Sequence, residues 1–148
     1  ENGAVEGDIV VPRVHDCIAL LLGSRAEYDT RFRNDPGTYY LSKGWIDYGS
    51  DPYKEYLEYK QKYSEEAARW MIKELYGNYR RICLIKTLED DWDRLRVRAR
   101  EVAEFIKMEY VEVPGSLAYL SKLLTGPWPE HQFVRVAPGE VINQSQFL

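Results

Sequence analysis

Three adjacent side chains, His15, Asp16 and Cys17, bring an imidazole, a carboxylate and a thiol together in one short stretch of this 148-residue chain. Histidine is the commonest protein metal ligand, and a thiol in the first turn of a helix has its thiolate favoured by the helix dipole. These types suit a transition metal such as zinc, iron or cobalt. Neighbouring residues of an extended strand point to opposite faces. His15 and Cys17 could therefore share a face as ligands, with Asp16 capping a helix or supporting them from behind. Two ligands do not complete a site, so further donors would come from another segment, a partner chain or a missing terminus.

A second set of candidates lies downstream. Arg13, Ser24 and Arg25, with Tyr39 and Tyr40, could line a pocket and hold a carboxylate, a phosphate or a cofactor. The plainer reading makes Gly23 a close packing point and pairs Arg25 with a nearby acid. The spacings of a Walker loop, a G-x-G-x-x-G turn and a nucleophile elbow are all absent. The other histidine, His131, sits in a Pro–Glu–His–Gln stretch that reads as surface. Cys83 reads as a small buried hydrophobe within a strand.

Positioning these groups requires a fold. The apolar run that begins at Ile9 reads as a buried parallel strand, with His15, Asp16 and Cys17 at its carboxyl end. Apolar residues at Ile18, Leu21, Leu22 and Phe32 then mark one helical face, with Asp16 as its N-cap. Asn34–Asp35–Pro36–Gly37 stops that helix, and Thr38–Leu41 is a short extended segment. Trp45–Ile46 leads into a loop through Gly49. Helices follow over Pro52–Tyr63 and Glu65–Tyr76, divided at Ser64, and Gly77–Asn78 ends the second. Arg81–Ile85 is a buried strand, and a helix begins at Asp90 or Asp91 with Trp92, Leu95, Ala99, Val102, Ala103 and Ile106 on one face. The interleaved Arg94, Arg96, Arg98 and Arg100 read as a solvated face. Strands over Tyr110–Val113 and Phe133–Val136 flank a helix capped by Ser116 and stopped by Gly126–Pro127.

Alternation of strands and helices predicts an α/β fold, with a mostly parallel, Rossmann-like sheet flanked by helices. The chain reads as one α/β domain over residues 1–148, the C-terminal portion of a larger one. A buried parallel strand so near the start needs neighbours on both sides, so part of an N-terminal half is expected to be missing. Glu1–Gly7, with two glycines, reads as a loop. A composition of 45% hydrophobic and 30% charged residues suits a folded protein. The net charge of −4 disfavours nucleic-acid binding. No membrane span or signal peptide is visible, and the two distant cysteines suit neither a disulfide framework nor a structural zinc pair, so a cytoplasmic location is expected. Twelve tyrosines cluster toward the first half and offer a docking surface over Tyr39–Tyr63 as one alternative role.

The segments Val11–Pro12–Arg13, His15–Asp16–Cys17–Ile18, Leu22–Gly23–Ser24–Arg25, Pro36–Gly37–Thr38–Tyr39–Tyr40 and Gly44–Trp45–Ile46 together resemble a known family. So does the closing Val136–Ile142. The family is domain of unknown function 1638, found in anaerobic archaea and bacteria. Its members often lie beside genes for corrinoid-dependent methyltransferases in methanogens and acetogens. The resemblance implies work in anaerobic one-carbon metabolism, including methanogenesis. It also implies a corrinoid or transition-metal cofactor and a corrinoid protein or methyltransferase partner, with a homo-oligomer also in view. Family members carry a leading portion with its own cysteine and histidine positions. The corrinoid-protein motif D-x-H-x-x-G is absent here, because Arg13 stands at the place of its aspartate. The function expected is therefore a metal- or metal-cofactor-binding domain in that metabolism. The alternatives are a metal-free small-molecule or anion-binding domain and a protein-interaction subunit.

Overall fold

A computed structural model describes residues 7–87 and 91–147. The expected loop over Glu1–Glu6 and the helix start at Asp90 lie outside the described residues. The chain divides into two compact units, Glu1–Tyr28 with Ser116–Leu148, and Asp29–Gly115.

The second unit carries a three-stranded parallel sheet in the order β2 (Thr38–Leu41), β3 (Arg81–Lys86), β4 (Glu109–Pro114). The central strand β3 is buried from Ile82 to Ile85, as a strand hydrogen-bonded on both sides and covered by helices should be. The crossover from β2 to β3 holds α3 (Lys43–Tyr48), α4 (Pro52–Lys62) and α5 (Glu65–Tyr76). The crossover from β3 to β4 is α6 (Trp92–Ile106). Leu95, Ala99, Val102 and Ala103 of α6 are fully buried against Leu41, Ile82 and Leu84, so the apolar stripe read from the sequence is the core face. A second cluster joins Tyr56 of α4 to Ala68 and Ile72 of α5.

Helix caps account for the element boundaries. Ser64 Oγ accepts from Ala67 N and separates α4 from α5 as expected. Asp51 accepts from the amides of Tyr53 and Lys54, with Pro52 opening α4. The stretch read as a loop after Trp45 is instead the short helix α3. Ser42 caps it by accepting from Trp45 N, which satisfies an amide that an uncapped single turn would leave open. The arginine row is not simply solvated. Arg94 pairs with Asp47 and Asp91, Arg96 with Glu112 and Asp93, and Arg98 with Asp51 and Glu101, while Arg100 lies over the Tyr110 ring.

The first unit corrects the expected start of the sheet. β1 (Ile9–Pro12) pairs with β5 (Phe133–Val136), antiparallel, with Ile9 opposite Val136 and Pro12 opposite Phe133. Among the described residues β1 has no second neighbour, and Ile9 is exposed. An apolar run specifies a buried face and leaves strand direction and partner open. The single helix expected from Cys17 to Phe32 is two, α1 (Ile18–Leu22) and α2 (Arg25–Asn34). Gly23 breaks them in the left-handed region at φ 89°, where a glycine carries no steric penalty. Its missing side chain also admits Ser116, because a Cβ at Gly23 would stand 2.8 Å from Ser116 Cβ. There Ser116 N donates to Leu21 O, just before α7 (Ala118–Thr125). Ser116, expected as the cap, stands one residue ahead of that position: Leu117 takes the N-cap place without a side-chain bond, Ser116 Oγ accepts from Ala118 N, and Gly126 ends the helix.

Candidate functional site

His15, Asp16 and Cys17 occupy the turn between β1 and α1, so the three candidates follow a strand's carboxyl end as expected, and all three are exposed. Asp16 is the fixed member. Its Oδ1 accepts from Ile18 N at 2.8 Å, which tethers the start of α1, and its Oδ2 accepts from the Tyr28 hydroxyl at 3.1 Å. Both carboxylate oxygens are therefore engaged, and Asp16 braces the turn that carries its two neighbours. Cys17 itself takes the formal capping position without a side-chain bond. Among the described residues no group of three histidine, cysteine or acidic side chains is placed to hold a metal ion.

The expected anion grip is differently employed. Arg13 Nε donates to Glu130 O at 2.7 Å, and its Nη1 donates to Gln146 O. Arg25 Nη1 donates to Phe147 O at 3.1 Å. Two arginines read as ligand-binding thus hold backbone carbonyls, those of Gln146 and Phe147 belonging to one short 3₁₀ turn, Gln144–Phe147. Ser24 Oγ accepts from Glu27 N and opens α2. No motif marks this use of Arg13 and Arg25, because its acceptors are main-chain atoms far along the sequence.

Tyr39 and Tyr40 belong to β2 in the other unit. Trp45 Nε1 donates to the Tyr39 hydroxyl at 3.0 Å, and the Tyr39 ring meets Tyr76 and Tyr79 edge-on at 5.5 and 5.3 Å. Burial raises the Tyr39 phenol above its ordinary range, against the Trp45 bond. Tyr40 pairs across the sheet with Cys83, and burial raises its phenol too. Cys83 is buried as the sequence predicts, and burial pushes its thiol up to about 11, so it stays protonated at neutral pH. His131 is exposed.

At the carboxyl edge of β3 and β4 a charged network closes on Glu112. Arg96 Nε donates at 2.9 Å, the Tyr110 hydroxyl at 2.8 Å, and Lys86 Nζ lies at 3.2 Å. Burial works against this carboxylate, yet the bonds from Arg96, Tyr110 and Lys86 hold it down at about 2. An acid so fully paired fixes structure and has no proton to exchange near neutral pH.

These features define a mixed α/β protein whose parallel sheet is flanked by helices, with an exposed His–Asp–Cys turn. The chain belongs to the family described as protein of unknown function, DUF1638, whose model matches residues 4–124. No curated protein and no solved structure matches it. No helix among the described residues is long and apolar enough to cross a membrane.

Proposed function

We propose that this chain is a metal- or metal-cofactor-binding domain whose protein donors are His15 and Cys17. The observation that carries the reading is the engagement of Asp16 on both oxygens, to Ile18 N and the Tyr28 hydroxyl. The middle residue braces the turn, and the flanking imidazole and thiol remain exposed. This is the division of labour between ligands and their supports that metal sites use. Two protein donors suit a metal that takes its remaining ligands from a cofactor ring, from solvent or from a second chain. When bound, such a centre would supply Lewis acidity or accept a transferable group, with His15 and Cys17 as the residues that would hold it.

The setting we infer is cytoplasmic anaerobic one-carbon metabolism, beside a corrinoid protein or methyltransferase, and the fold we take to be Rossmann-like. Family resemblance supports that setting. The anion-binding alternative at Arg13, Ser24 and Arg25 is less well served. Its arginines would first have to release Gln146 and Phe147.

Cobalt(II) titration of anaerobically purified protein tests the metal reading. The expected result is a saturable cobalt–thiolate charge-transfer band, abolished by Cys17→Ser, weakened by His15→Ala and unchanged by Cys83→Ser. Wild-type protein that develops no such band would overturn it.

A further inference from the structure

A cavity of about 410 Å³ opens in the second unit between the C-terminal ends of α5 and α6, at the edge where β3 and β4 begin. Four cationic side chains line it, Arg69, Lys73, Arg80 and Lys107, and no acidic one does. In a chain of net charge −4 such a cluster is against the grain of the composition. Arg69 is shared with Glu65, whose carboxylate it meets at 2.9 Å. Lys73, Arg80 and Lys107 make no ion pair with any described residue.

Cations commonly gather near helix C-termini, where exposed carbonyls attract them. Here several of those carbonyls already have partners. Tyr79 N donates to Tyr76 O at 2.9 Å, Lys107 N to Glu104 O at 3.2 Å, and Met108 N to Ala103 O at 2.8 Å. The cluster therefore exceeds what the helix ends require. The rest of the lining is apolar or aromatic, with Ile72, Phe105, Ile106 and Met108 beside the rings of Tyr76 and Tyr79. Tyr76 is held in place by donating to Glu55 Oε2 at 2.8 Å and by edge contact with Tyr39. The volume falls in the range of small-molecule sites, roughly 300–1,000 Å³.

We propose that this cavity binds a phosphomonoester of an aromatic or heteroaromatic body, its dianion held by Lys73, Arg80 and Lys107 and its ring laid against Tyr76, Tyr79 and Phe105. A phosphomonoester carries close to two negative charges at neutral pH, so it suits several convergent cations better than a singly charged carboxylate ligand would. Ring stacking on tyrosine and phenylalanine supplies the other half of the recognition. The site is independent of the His15–Cys17 turn.

Adenosine monophosphate is the probe, titrated calorimetrically into the whole chain beside inorganic phosphate and adenosine. Saturable binding of adenosine monophosphate is expected, at least tenfold tighter than either half alone. The variants are Lys73→Gln, Arg80→Gln and Lys107→Asn. Asparagine tolerates the left-handed φ of 59° at position 107, so that variant removes charge without straining the backbone. Each should weaken binding about tenfold while the circular dichroism spectrum stays unchanged, and a His15→Ala/Cys17→Ser double variant should bind as wild type does. Absence of saturable binding, equal affinity for phosphate alone, indifference to all three charge removals, or loss in the double variant would each overturn the proposal.

Discussion

Arg98 of α6 grips Asp51, the residue that caps α4, through two guanidinium nitrogens. Nε lies 3.0 Å from Oδ2, and Nη2 lies 2.8 Å from Oδ2 and 3.0 Å from Oδ1. Asp51 is fully buried, and the same carboxylate accepts from the amides of Tyr53 and Lys54. One side chain thus starts a helix and fastens it to the helix that covers the sheet. Arg98 also lies over the Tyr53 ring at 5.1 Å.

Removing the cation should be severe. Arg98→Ala leaves a buried carboxylate without its counter-ion, a change that costs about 3–5 kcal/mol. Arg98→Lys should recover only part, because an ammonium cannot reproduce the forked contact. Chemical denaturation midpoints for the two variants check both statements.

Thiol chemistry should divide the two cysteines. Cys17 is exposed, whereas Cys83 is 2% exposed and its thiol is pushed up to about 11. Titration of native protein with an aromatic disulfide should show one fast thiol, with the second released only on unfolding. Cys17→Ser should abolish the fast phase. Two fast thiols in the native state would contradict the burial of β3.

Acid should weaken the second unit through Glu112. Its pKa is lowered to about 2, below the ordinary 4.5, by Arg96, Tyr110 and Lys86 acting against burial. Because the folded value is the lower one, this contribution is complete above the ordinary range and disappears as pH falls from about 4.5 toward about 2. Glu112→Gln should cost about 1–3 kcal/mol at neutral pH. It should also lose less stability than wild type between about pH 6 and about pH 3, measured by urea unfolding.

Gly23 should tolerate no side chain. Gly23→Ala combines a left-handed φ of 89° with a Cβ placed 2.8 Å from Ser116 Cβ. A loss on the order of 2 kcal/mol is expected from strain and crowding together. Ser116→Gly in the same background removes the contacted side chain and should return part of it, which thermal melts would show.

The legible parts of the fold were those whose signals are local. α5 is bounded by Ser64 and Gly77 as its residues indicate, and the α6 stripe became the core face because a period near 3.6 admits few other uses. α3 was hidden because a single turn shows no period, and only the Ser42 cap marks it. The break at Gly23 was hidden because the spacing of Ile18, Leu21, Leu22 and Phe32 continues past it. Phe32 proves exposed, so its place in that stripe was coincidental. The direction of β1 depends on a partner at the other end of the sequence. The same distance conceals the roles of Arg13 and Arg25, and it conceals the pairing of Arg98 with Asp51. In the His–Asp–Cys turn, sequence alone could place Asp16 as a cap or support, and its second bond, to Tyr28, required three dimensions.

The pairing of β1 with β5 carries a consequence for synthesis. Every strand pair of the parallel sheet lies within Thr38–Pro114, so that sheet can pair as soon as those residues are free of the ribosome. Ile9, by contrast, must wait for Val136. Until then β1 offers an open edge, and the charge of Asp8 and the ring of Pro12 at its two ends are the kind of features that keep a waiting strand from pairing with a neighbouring nascent chain.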